Sequence, residues 1–125
     1  MLKNLIQVAI GGALGSTLRY LVGLGAVRLF GTGFPVGTLV VNVAGSFVMG
    51  LLYGVLSGRG AMHLAPLLLA GVLGGFTTFS AFSLDTVTLW ERGQVTTAVL
   101  YVLVSVLVSL AALWAGLVLA RGELA

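Results

Sequence analysis

Four long apolar stretches, separated by short polar or glycine-rich breaks, account for nearly the whole chain. The first runs roughly from Leu5 to Leu29, the second from Val36 to Leu56, the third from Ala65 to Leu89 and the fourth from Val95 to Ala120. Each is long enough to cross a bilayer as a helix, which takes about 20 apolar residues. The connections GTGFP, SGRGAMHL and ERGQ are short, so consecutive helices are expected to be antiparallel neighbours. Pro35 and Pro66 stand at the starts of the second and third stretches, where a missing N–H costs nothing. The pattern predicts an all-α membrane protein: one four-helix transmembrane domain over residues 1–125.

Composition supports the same class. Only 7% of the residues are charged, against about 25% in a soluble domain, so the chain cannot cover itself with a solvated surface. Its basic residues are scattered singly, which is no footprint for nucleic acid. There is no cysteine, and hence no disulfide or thiolate metal site. Lys3 followed by apolar residues has the look of a signal peptide. Arg19 interrupts that run and apolar sequence resumes at Tyr20, so a first transmembrane helix is the better reading.

Basic residues outside the spans set orientation. One side of the membrane holds Lys3, Arg59 and Arg121, the other Arg28 and Arg92. So little bias allows insertion both ways, with two opposed copies pairing about an axis in the membrane plane. Four short helices enclose little on their own, which favours a homodimer.

Polar groups inside the spans carry whatever chemistry the chain has. The first, second and fourth stretches contain no Asp or Glu, and the third only Asp85. That argues against proton antiport, which relies on intramembrane carboxylates. Glycines at small-xxx-small spacing, such as Gly11 and Gly15 or Gly50 and Gly54, predict close helix packing. Asn42 forms a polar stripe with Thr38 and Ser46 at four-residue intervals. It serves either as interhelical glue or as a donor to a solute. Thr97, Tyr101, Ser105 and Ser109 make a second hydroxyl row, for packing or as a rail for a hydrogen-bond-accepting solute. His63 is a loop histidine with no assigned role.

The third stretch contains GGFTTFSAF, Gly74 to Phe82, which breaks its own apolar run. Two glycines make unwinding cheap at mid-membrane, and Thr77 and Thr78 can compensate freed backbone groups. Irregular backbone at that depth is tolerated only when buried in protein or lining a cavity, and unwound carbonyls are a known means of holding Na⁺ without a carboxylate. Phe79 and Phe82 lie one turn apart. Phenylalanine has a positive ring edge, so the pair either favours an anion in a narrow passage or simply packs in lipid or core.

The pieces GGALGSTLRY, GTLVVNVAGSFVMG and GGFTTFSAFSLDT, with four short spans and balanced charge, resemble the Fluc/CrcB family of fluoride channels across nearly the whole chain. The resemblance implies an antiparallel dual-topology homodimer in the bacterial inner (plasma) membrane, with two fluoride pores, exporting fluoride passively and so conferring resistance. It also implies a structural Na⁺ held by backbone carbonyls of the broken third helix, which fall on Gly74 and Thr77. The fluoride pathway falls on Asn42, Phe79, Phe82, Tyr101, Ser105 and Ser109, with Arg19 as a vestibule arginine. Asp85 stands where family members often carry glutamate, and Ala81 where threonine is common. The competing expectations are a small dual-topology exporter, which lacks the acid it would need, and a structural membrane subunit whose polar stripes merely pack helices.

Overall fold

The computed structural model describes residues 1–122. Four of its helical elements are long and apolar enough to cross a membrane: Leu2–Phe30, Val36–Gly58, Met62–Glu91 and Val95–Arg121. The first, second and fourth are continuous α-helices, named α1 (Leu2–Phe30), α2 (Val36–Gly58) and α5 (Val95–Arg121). The third is composite. It opens with a 3₁₀ turn (Met62–Leu64), continues as a π-helix (Pro66–Leu73) and tightens into one α-turn, α3 (Gly74–Phe76). After a break it resumes as α4 (Phe79–Glu91).

The molecule is turned inside out relative to a soluble domain. Its buried cluster is small, comprising Phe82, Leu89, Ala98 and Tyr101, while Leu107, Leu110 and Trp114 are 62%, 65% and 70% exposed. In hydrocarbon such exposure costs nothing, because lipid tails are as apolar as leucine; the helices associate by close packing instead. The small-xxx-small pairs supply it. A side chain at Gly11 or Gly15 would run into the backbone of the third span, at Leu67 and Val72. One at Gly50 would strike the Leu113 carbonyl of α5, and one at Gly116 the Phe47 carbonyl of α2. These neighbours are backbone and cannot swing aside. Gly116→Ala should therefore destabilise the fold by about 1–3 kcal/mol, the usual cost of overpacking. A lowered thermal midpoint in detergent checks this, and an unchanged one would mean that α2 and α5 are not in backbone contact.

The break does not fall on its glycines. Gly74 is still right-handed helical (φ −62°, ψ −36°), and the chain extends at Thr77 (φ −88°, ψ 159°) and Thr78 (φ −152°, ψ 122°). β-Branched threonine favours extended backbone. Here each threonine also caps one side of the gap. Thr77 donates both its N–H and its Oγ1–H to the Leu73 carbonyl, at 3.0 and 2.9 Å. Thr78 is the N-cap of α4, its Oγ1 accepting from the Ala81 N–H at 3.1 Å. Gly75 serves proximity rather than unwinding: a Cβ there would lie 2.8 Å from the Gly12 carbonyl oxygen. The two threonines sit at the middle of the Met62–Glu91 element, so the third helix is interrupted near its midpoint.

Candidate functional site

Interrupting a helix removes partners from its backbone, and the structure shows where each group goes. Asn42 of α2 meets the extended Thr78 with both ends of its carboxamide. Its Oδ1 accepts the Thr78 N–H at 2.7 Å, and its Nδ2 donates to the Thr78 carbonyl at 2.9 Å. One amide thus pairs with another as neighbouring strands do. From α1, Arg19 donates through Nε to the Gly75 carbonyl at 3.0 Å. The carbonyls of Gly74 and Thr77 accept no hydrogen bond among the described residues. Free carbonyls without a nearby acid are the donor set of a monovalent cation, so these two residues fit the Na⁺ that the resemblance implies.

Beside the break is a cavity of about 370 Å³ between α2, α4 and α5, bounded by Asn42, Ser46, Thr77, Phe82, Ser105 and Ser109, with Phe79 at its edge. Phe82 is nearly buried (9% exposed) and Phe79 projects outward (78% exposed); their ring centroids are 5.6 Å apart, with planes at 53°. Ser105 is 6% exposed, and its Oγ has no hydrogen-bond partner among the described residues. A hydroxyl so enclosed is costly unless something accepts its proton. Among the described residues no acid lines the chamber. Its polar groups are uncharged, among them a hydroxyl without a partner and a carboxamide with one N–H left over, and the rings of Phe79 and Phe82 border it. That set suits a small anion that accepts hydrogen bonds.

Six of the nine site residues expected from sequence border this chamber: Asn42, Thr77, Phe79, Phe82, Ser105 and Ser109. Gly74, Arg19 and Tyr101 do not. Tyr101 is almost fully buried behind the wall, its ring tilted at 45° against Phe82 at 5.3 Å and edge-on at 5.5 Å to Phe34. Its hydroxyl donates to Asp85 Oδ2 at 3.1 Å, away from the chamber. Asp85 in turn faces a second cavity of about 260 Å³, near the Gly31–Phe34 turn, that also touches Thr38 and Arg92. Thr78, whose peptide Asn42 grips, was not among the expected site residues. Its signal lay in the Thr-Thr pair of GGFTTFSAF.

Fold and chamber together define a multi-pass membrane protein with an uncharged chamber lining beside a broken helix. Residues 6–117 match the family model described as CrcB-like protein, Camphor Resistance (CrcB), and the chain belongs to that family. Its relatives include proteins of Paracoccus denitrificans, 62% identical over 122 residues with 98% of each chain covered, and of Cereibacter sphaeroides, 58% identical over the full length of both. A third, from Agrobacterium fabrum, is 52% identical over 120 residues, covering 94% of this chain and 96% of its own. Each of the three carries the name fluoride-specific ion channel FluC.

Proposed function

We propose that this protein is a fluoride-selective channel, conducting the ion passively through the chamber beside the broken third helix. The relatives bear the name of a channel and not of an enzyme. The observation that carries the reading within this chain is the buried, unpartnered Ser105 hydroxyl, which borders the same chamber as Phe82 and Asn42.

The chemistry follows from the ion. Fluoride is small and tightly hydrated, so a passage has to replace water donors without holding the ion fast. Ser105, Ser109, Asn42 and the Phe79 and Phe82 edges each give a modest interaction. A fixed positive charge in the chamber would bind too firmly, and conduction needs binding weak enough to leave. Arg19, outside the chamber, can raise local anion concentration without blocking exit. Chloride is larger and a poorer acceptor, and gains less from these donors.

A single copy leaves the break partly uncovered. Gly74 and Ser80 are exposed at mid-span, and bare backbone in hydrocarbon costs several kcal/mol per group, on the order of what no stable protein leaves unmet. A second, oppositely inserted copy covers this face, consistent with three basic residues on one side and two on the other. Na⁺ held by the Gly74 and Thr77 carbonyls of both copies would supply the positive charge that pins the two breaks together. In a bacterial plasma membrane the outcome is fluoride export, and with it resistance.

Purified protein in liposomes loaded with fluoride or chloride tests the reading. Fluoride should leave rapidly once the membrane potential is released by a potassium ionophore, and chloride should stay. Equal retention of both, or equal loss, would remove the proposal.

A further inference from the structure

The Arg19 side chain does something that a vestibule charge does not require. Gly12, Ser16 and Arg19 lie on one face of α1, at helical spacing. A Cβ on Gly75 would sit 2.8 Å from the Gly12 carbonyl oxygen, 3.0 Å from Ser16 Oγ and 3.1 Å from the Ser16 nitrogen. The bare glycine therefore lets this face lie directly against the Gly75 peptide. Arg19 then reaches the Gly75 carbonyl with Nε, the innermost of its guanidinium nitrogens, at 3.0 Å. In an unbroken helix that carbonyl would accept the N–H of the residue four further on, Phe79. Phe79 instead opens α4 beyond the extended Thr77 and Thr78.

We infer that Arg19 is a positioning residue for the broken helix: its Nε–H replaces the lost Phe79 N–H on the Gly75 carbonyl. This holds the α3 turn in the orientation that leaves the Gly74 carbonyl free. Two side chains, distant in sequence, thus staple the break from opposite neighbours. Arg19 of α1 grips its first half at Gly75, and Asn42 of α2 grips its second at Thr78. The inference rests on the break being the functional centre, as proposed above. Lysine keeps the charge but is a compact, strongly hydrated ammonium that cannot present Nε at that point. Charge alone therefore does not replace this arginine.

Arg19→Lys and Arg19→Gln in the full-length protein in lipid test the inference by two readouts. The first is local. Gly–Phe occurs only at Gly33–Phe34 and Gly75–Phe76, so labelling glycine carbonyls with ¹³C and phenylalanine nitrogen with ¹⁵N isolates two NMR signals. Both variants should move the Gly75 signal and leave the Gly33 signal in place. The second is fluoride efflux, which should fall roughly tenfold in both variants at every ionic strength, the scale of losing one charge-assisted hydrogen bond. The wild type gives a check that needs no variant: the Arg19 Nε–H should exchange with water more slowly than those of Arg28, Arg59, Arg92 and Arg121. An Arg19→Lys protein with the wild-type Gly75 signal, or with undiminished efflux, overturns the inference, as does an Arg19 Nε–H that exchanges as fast as the others. A wild type that does not conduct fluoride sinks the channel reading instead, while the Gly75 signal still reports on the staple.

Discussion

Phe82→Ile should lower fluoride efflux by roughly tenfold or more while the protein still folds. Phe82 is nearly buried, set 5.6 Å from the Phe79 ring and 5.3 Å from Tyr101. Isoleucine fills much of the same space, and apolar swaps that roughly conserve volume usually cost less than about 1.5 kcal/mol. What it cannot supply is the electropositive ring edge. Aromatic-edge interactions are worth about 0.5–1.5 kcal/mol, and about 1.4 kcal/mol is a factor of ten in rate. Phe79→Ile should lose as much flux with even less effect on stability, because that ring is 78% exposed in the single chain. Efflux from reconstituted variants, read beside gel filtration, separates the two effects. Unchanged flux in both would leave the rings as packing and nothing more.

Asn42→Asp should do more damage, for two reasons that act together. Ionised aspartate is only an acceptor. It keeps the bond from the Thr78 N–H but sets a negative oxygen against the Thr78 carbonyl, where Nδ2 now donates at 2.9 Å. It also places a full negative charge on the chamber wall. Two like charges about 4 Å apart repel by about 4 kcal/mol at an effective dielectric near 20, so efflux should fall by roughly a thousandfold. Asn42→Leu, with no charge and no staple, should fall between Asp and wild type if both effects operate. Robust fluoride flux through Asn42→Asp would place this residue off the path of the ion.

These residues also show where the sequence is legible and where it is not. Four helices follow from four apolar runs, because hydropathy is a local property that nothing in a bilayer overrides. The break follows from GGFTTFSAF, but its position does not. Glycine makes unwinding cheap, yet the chain extends at Thr77 and Thr78, where hydroxyl caps and Asn42 satisfy the backbone. Sequence left Asn42 open between glue and solute donor; the structure gives it two bonds to Thr78 and a place on the chamber wall.

The π-helical Pro66–Leu73 segment has no local signature beyond its proline. The grip of Arg19 on Gly75 joins residues 56 apart, and no spacing rule reaches that far. The hydroxyl row of α5 shows a subtler failure. Residues four apart are about 40° out of line on an ideal helix, because four steps of about 100° overshoot a full turn. Tyr101 and Ser109 therefore diverge by about 80°. Ser105 and Ser109 border the chamber, whereas Tyr101 turns behind its wall toward Asp85. A row that looks straight in the sequence is a spiral on the helix.

An uncharged chamber favours a channel over an exporter, since proton-coupled transport needs a titrating acid where the ion passes and Asp85, within the third span, bonds Tyr101 outside the chamber. The direct measurement is the reversal potential of the purified protein in a planar bilayer with unequal fluoride on the two sides. Passive, selective conduction predicts a current that reverses at the fluoride equilibrium potential and stays there when a chloride or proton gradient is added. A reversal that follows the proton gradient, or no fluoride current at all, would contradict it.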